Sequence, residues 1–93
     1  MIQRFRGKDT EQLFLGHFSR KLPHALQRLA RRKLLQLDAA TMLKTLRVPP
    51  GNRLEALKGD RKGQHSIRIN DQYRVCFIWR DGAAHRVEIT DYH

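Results

Sequence analysis

The spacing of apolar residues changes once along this chain, from a three-or-four repeat to a repeat of two, and the change separates a helical half from a sheet half. Residues 2–6 alternate apolar with polar, as a half-buried strand does. Lys8-Asp9-Thr10-Glu11 then offers Asp9 or Thr10 as an N-cap. Leu13, Phe14 and Phe18 follow at helical spacing, which predicts a short first helix. Pro23 suits the first turn of a second helix, where its missing N–H costs nothing. Leu22, Leu26, Leu29, Ala30, Leu34 and Leu37 make one buried stripe along it, and Arg28, Arg31, Arg32 and Lys33 occupy the other face. Asp38 to Thr41 breaks or re-caps this helix. Met42, Leu43 and Leu46 allow one more helical turn, and Val48-Pro49-Pro50-Gly51-Asn52 ends all helix.

From Leu54 the repeat is two. Residues 66–70, 73–80 and 84–92 alternate cleanly, separated by the turn sequences Asn70-Asp71-Gln72 and Asp81-Gly82-Ala83, so three consecutive antiparallel strands are expected. The predicted fold class is α+β in a single domain, 1–93: an N-terminal strand and helices followed by an antiparallel β-meander, with the helices packed on one sheet face. Alternation assigns Ile67, Ile69, Tyr73, Val75, Phe77, Trp79, Val87 and Ile89 to the helix side. The opposite register holds Arg68, Arg74, Cys76, Ile78, Arg80, Arg86, Glu88, Thr90 and Tyr92. Left uncovered, that face is a basic groove with a tyrosine. Taken singly, Arg68, Arg80 and Arg86 are expected to make only cross-strand pairs, such as Arg68 or Arg86 with Glu88.

Charge sharpens the picture. Nineteen Lys and Arg against nine Asp and Glu leave a net +10 on 93 residues, and such a field attracts phosphate backbones and releases their counterions on binding. A polyanion partner is expected, with single-stranded RNA ahead of duplex DNA, because Arg grips phosphate bidentately while Tyr and Arg planes stack on unpaired bases. A solubilising surface is the bland alternative, and an acidic protein partner stays open. A chain this short supports one core, and its lone Cys76 excludes an intramolecular disulfide, which fits a reducing, cytoplasmic setting. No apolar run is long enough to suggest export or a membrane span. His17, His24, His65 and His85 lack metal-ligand spacing with one another or with Cys76, so neither a metal nor a cofactor is expected. Gly59 to Gly63 reads as a turn that presents Lys58 and not as a phosphate loop.

Two segments stand out together: Pro49-Pro50-Gly51-Asn52-Arg53-Leu54-Glu55-Ala56-Leu57-Lys58-Gly59-Asp60-Arg61-Lys62-Gly63 and the ending Ile89-Thr90-Asp91-Tyr92-His93. With Ser66-Ile67-Arg68-Ile69-Asn70-Asp71-Gln72-Tyr73-Arg74-Val75-Cys76-Phe77 between them, the chain resembles the HigB toxins of the RelE/ParE superfamily over essentially its whole length. The resemblance implies a RelE-like fold similar to microbial ribonucleases. It also implies a type II toxin that cleaves messenger RNA in the A site of the 70S ribosome and contacts ribosomal RNA there. The implied partner is a HigA-like helix-turn-helix antitoxin, through which alone the toxin would reach operator DNA. By position, the family's functional lysine falls on Lys58, its strand arginine on Arg74, and its C-terminal Asp, Tyr and His on Asp91, Tyr92 and His93. Glu55 departs from members that carry His at its position.

Cleaving RNA without a metal requires a base for the 2′-hydroxyl proton, a cation for the crowded phosphate and an acid for the leaving 5′-oxygen. Lys58 and Arg74 suit the cation. Glu55 is a candidate base, although the surrounding positive field weakens a carboxylate in that role. His93 is the candidate acid or base best matched to neutral pH. Tyr92 would stack on a base or position phosphate, and Asp91 would orient His93 or contact RNA. Lys58, Arg68, Arg74 and Tyr92 make the expected RNA-binding set. Arg31-Arg32-Lys33 is either a solvated face or a patch that meets ribosomal RNA or an acidic antitoxin. Superfamily members that poison DNA gyrase keep the alternative of a non-enzymatic, ParE-type inhibitor open, because fold alone does not decide activity.

Overall fold

The computed structural model describes residues 1–91. Its elements are α1 (Lys8–Phe14), α2 (His24–Ala39), β1 (Glu55–Ala56), β2 (His65–Arg68), β3 (Tyr73–Arg80) and β4 (Ala83–Asp91), with 3₁₀ turns at Leu43–Arg47, Pro50–Asn52 and Gly59–Arg61. The strands form one sheet in the order β1-β2-β3-β4, antiparallel at every step. The helices lie on one face of it, as the α+β expectation required.

The α2 stripe packs as its spacing predicts: Leu26, Ala30, Leu34 and Leu37 are buried, with Leu22 and Leu29 partly so. They meet Ile67, Ile69, Val75, Phe77 and Val87 from the sheet, while Tyr73, Trp79 and Ile89 close the margins, so every residue assigned to the core face is there. Pro23 stands one position earlier than expected, as the N-cap residue and not inside the first turn. Its carbonyl accepts from the Leu26 N–H at 2.9 Å.

Local details differ from the expectation for identifiable reasons. The residue capping α1 is Gly7, with φ 100°, and not Asp9 or Thr10. The Thr10 hydroxyl instead accepts from the Ile89 N–H on β4 at 3.2 Å. Gly16, at φ 94°, turns the chain out of α1, and Phe18 is left 63% exposed with its ring beside His24. Residues 1–6 make no regular strand. Ile2 and Phe5 form isolated parallel bridges to Ala84 and Val87 on β4. A bulge in β4 at Arg86, whose φ is +52°, breaks the ladder between them. The turn between β3 and β4 is the predicted one, with Asp81 at φ 53° and Gly82 at φ 74°, the positive pair that a tight two-residue hairpin requires.

The sheet gains a strand that alternation did not single out. Glu55 and Ala56 pair with Ser66 and His65. β2 ends at Arg68, two residues before the predicted Asn70. Helix also does not end at Val48, because the 3₁₀ turns at Pro50–Asn52 and Gly59–Arg61 follow it. The sheet face opposite the helices is covered in part, contrary to the open groove expected. Ser66 and Cys76 are fully buried there. Arg61 explains this, since it leaves the β1–β2 loop at one sheet edge and reaches Glu88 on β4 at the other.

Candidate functional site

The register aligns one row of residues across the sheet face away from the helices: Glu55 on β1, Ser66 on β2, Cys76 on β3 and Glu88 on β4. A second row places Arg68, Arg74 and Thr90 beside it. Antiparallel partners share a face, so these rows form one continuous surface.

Arg74 is the best-anchored side chain on that surface. Its Nε donates to Ser66 Oγ at 2.6 Å, and its Nη2 donates to the Arg53 carbonyl at 2.7 Å and the Ser66 carbonyl at 3.3 Å. Glu55 Oε1 lies 3.6 Å from the same Nε. The guanidinium side chain is 12% exposed, against 54% for Glu55. Arg53 takes a left-handed backbone conformation, φ 45°, as the chain leaves the 3₁₀ turn at Pro50–Asn52. A charged group with this many fixed acceptors keeps one orientation, which is what stabilising a developing phosphate charge demands.

Lys58 follows β1 on the loop that joins it to β2, and it is exposed. The loop is closed by the Leu57 N–H on the Gln64 carbonyl at 2.9 Å and by the Arg61 N–H on the Lys58 carbonyl at 3.3 Å. Gly59 and Gly63, at φ 63° and 95°, supply the backbone conformations that such tight turns need. Glu55 borders a cleft of about 360 Å³ lined also by Lys44, Arg47 and His65.

The remaining expected residues disperse. Arg68 pairs with Asp71 at the β2–β3 turn, and Lys33 on α2 feels its charge. Asp91 pairs in register with Tyr73, so it alternates to the other side of β4 from Thr90, and its Oδ2 accepts from Gln72 Nε2 at 3.0 Å. Tyr92 and His93 lie outside the described residues. The expected pairing of Glu88 with Arg68 or Arg86 is not made. Glu88 binds Arg61 Nη2 at 3.0 Å and Arg6 Nε at 3.3 Å. Both partners are remote in sequence, one at the N-terminus and one in a loop, so no cross-strand rule could nominate them. A lone acid within an otherwise basic register was the available signal. Among the described residues no group of three or more His, Cys, Asp or Glu is placed to hold a metal ion.

Residues 3–93 match the family described as the RelE-like toxin of type II toxin-antitoxin system HigB. The Toxin HigB-1 of Vibrio cholerae is 45% identical over 85 residues, 90% of each chain. The Endoribonuclease HigB of Proteus vulgaris is 31% identical over 97 residues that span 100% of both chains. Among solved structures, YafQ from E. coli superimposes with a TM-score of 0.56 at 10% identity, covering 99% of this chain and 94% of that one, a likeness of fold. With the family match running from residue 3 to residue 93 and a relative of 45% identity beside it, the chain belongs to the RelE-like toxins of the HigB type II toxin–antitoxin systems.

Proposed function

We propose that this toxin is a metal-independent endoribonuclease that cuts messenger RNA in the ribosomal A site. The observation that carries the reading is the immobilised Arg74 guanidinium beside Glu55, with the exposed Lys58 on the loop that follows the Glu55 strand. The name of the Proteus vulgaris relative supports the same chemistry.

In this reading the scissile phosphate lies on Arg74 and Lys58, whose charges stabilise the crowded phosphorane. The 2′-oxygen attacks phosphorus as its proton leaves to a base. The bond to the 5′-oxygen breaks as an acid returns a proton, and a 2′,3′-cyclic phosphate remains. Glu55 and His93 supply the base and the acid between them. Tyr92 stacks on a base, Arg68 grips a flanking phosphate, and Asp91 orients His93 or contacts RNA. The cleft beside Glu55 takes a neighbouring nucleotide. A HigA-like helix-turn-helix antitoxin neutralises the toxin and alone carries it to operator DNA. The basic field of the chain, +10 overall, draws it to the 70S ribosome. Among the described residues no helix is long and apolar enough to cross a membrane. The proposed substrate, messenger RNA on translating ribosomes, puts the site of action in the cytoplasm.

The test is primer extension on a reporter messenger, once as free RNA and once on ribosomes paused at a defined codon. Cuts confined to the A-site codon and lost in Lys58→Ala are expected. Intact RNA under both conditions would overturn the nuclease and direct attention to gyrase inhibition.

A further inference from the structure

Lys58 stands on a loop whose internal shape is well determined. The Leu57 N–H closes its neck on the Gln64 carbonyl at 2.9 Å, the Gln64 N–H donates to the Arg61 carbonyl at 3.0 Å, and the Lys62 N–H donates to the Gly59 carbonyl at 3.1 Å. Arg61 adds a further attachment that ties the loop to the sheet and so limits the opening of these bonds. Its Nη1 donates to Gln64 Oε1 at 3.1 Å, locking the guanidinium to the loop neck, and its Nη2 meets Glu88 Oε1 at 3.0 Å on the far strand.

Glu88 is itself held from two more sides. Arg6 Nε lies 3.3 Å from Oε2, and Thr90 Oγ1 donates to Oε1 at 3.2 Å. Arg6 is fixed in turn, because its backbone N–H donates to the Val87 carbonyl at 2.9 Å. The Glu88 side chain is only 17% exposed, so water competes weakly for it, and charge-assisted bonds in such surroundings are the stronger kind. Beyond its chain connections to β1 and β2, the loop is therefore held a third time, by Arg61 on Glu88 at β4, and Lys58 lies between β1 and that tether.

We propose that Glu88 is a positioning residue for Lys58: through Arg61 it fixes the β1–β2 loop on the sheet face, while Arg6 holds the carboxylate in place. The proposal rests on the nuclease reading for the catalytic importance of Lys58, but not for the tether. Displacing a catalytic group by about 1 Å costs on the order of 100-fold in rate. Releasing the loop lowers kcat more than it raises KM, because the ribosome supplies most of the hold on the messenger.

The experiment is a double-mutant cycle on ribosomes paused at one codon, read by single-turnover cleavage and paired with amide hydrogen exchange of the free toxin. Glu88→Ala and Lys58→Ala are each expected to slow cleavage by roughly 10- to 100-fold, and the double variant to be no slower than Lys58→Ala alone. A merely structural role gives losses that multiply, and that result overturns the proposal. In exchange, Glu88→Ala is expected to accelerate the Leu57, Arg61 and Gln64 amides by roughly 10-fold while those of Ile67 and Val75 stay protected. Unchanged loop exchange, with a wild-type toxin that cuts RNA, removes the tether and leaves the nuclease standing. Accelerated loop exchange in a toxin that cuts no RNA keeps the tether and removes the nuclease. Should Glu88→Ala fail to fold, Glu88→Gln, which keeps a neutral acceptor, carries both measurements with smaller effects in the same direction.

Discussion

Arg74, the proposed cation for the scissile phosphate, is also a structural anchor. Alternation along 73–80 places it on the face away from the core, which suggests that truncation would spare the fold. The structure adds a cost in stability. Arg74→Ala strands the buried Ser66 hydroxyl, takes the donor from the exposed Arg53 carbonyl and leaves Glu55 without its cation. Losing charge-assisted bonds of this kind costs about 1–3 kcal/mol. The expected outcome is a fall in Tm of roughly 4–8 °C per kcal/mol together with loss of cleavage, measured by thermal unfolding and primer extension. Lys58→Ala is the cleaner probe: the side chain is exposed, so stability should stay within about 0.5 kcal/mol while cleavage falls. The sequence conveys the face on which Arg74 lies, because period two is a local property. It does not convey the anchor, because Arg53 lies 21 positions away and its carbonyl is presented by a left-handed backbone that no side-chain pattern encodes.

Among the elements, α2 was legible almost residue by residue, and the segment that follows it was not. The apolar stripe of α2 repeats within a single helix, whereas the chain from Leu46 to Asn52 is held by one buried amide. Asn52 Nδ2 donates to Gln36 Oε1 at 2.8 Å and to the Leu46 carbonyl at 3.1 Å, and its Oδ1 accepts from Lys33 Nζ at 2.5 Å. Asn52→Ala is expected to cost about 1–3 kcal/mol in denaturant unfolding, since it leaves those partners unsatisfied. Burial, then the charges of Arg32 and Arg68, hold the Lys33 ammonium below its usual 10.5. Between that lowered value and 10.5 the unfolded chain binds more protons than the folded one, so the contribution of Lys33 to stability rises with pH across this window. The stability of the wild type relative to Lys33→Gln should therefore increase as pH is raised toward 10.5, and a constant difference would contradict the assignment.

For the whole molecule, composition announces the net charge but not where it is available. The Arg31-Arg32-Lys33 run looks like one basic patch, yet folding divides it. Arg31 Nε donates to the Phe14 carbonyl at 3.2 Å, closing the end of α1, and Lys33 turns to Asn52. Arg32 is left exposed, with Arg28 one turn earlier on the same helix. These two lie on the helical side of the molecule, whereas Arg74 stands on the opposite sheet face and the proposed catalytic Lys58 on the β1–β2 loop. A toxin that docks through one side and cuts with the other should separate the two activities. Arg28→Gln combined with Arg32→Gln is expected to weaken ribosome association and to reduce the slope of log affinity against log salt by about 1 for each phosphate no longer neutralised. The cleavage rate at saturating toxin should not change. An unaltered salt slope would make this face a solvated surface and place the docking charge on the sheet side, where electrostatic capture and cleavage would then share the same residues.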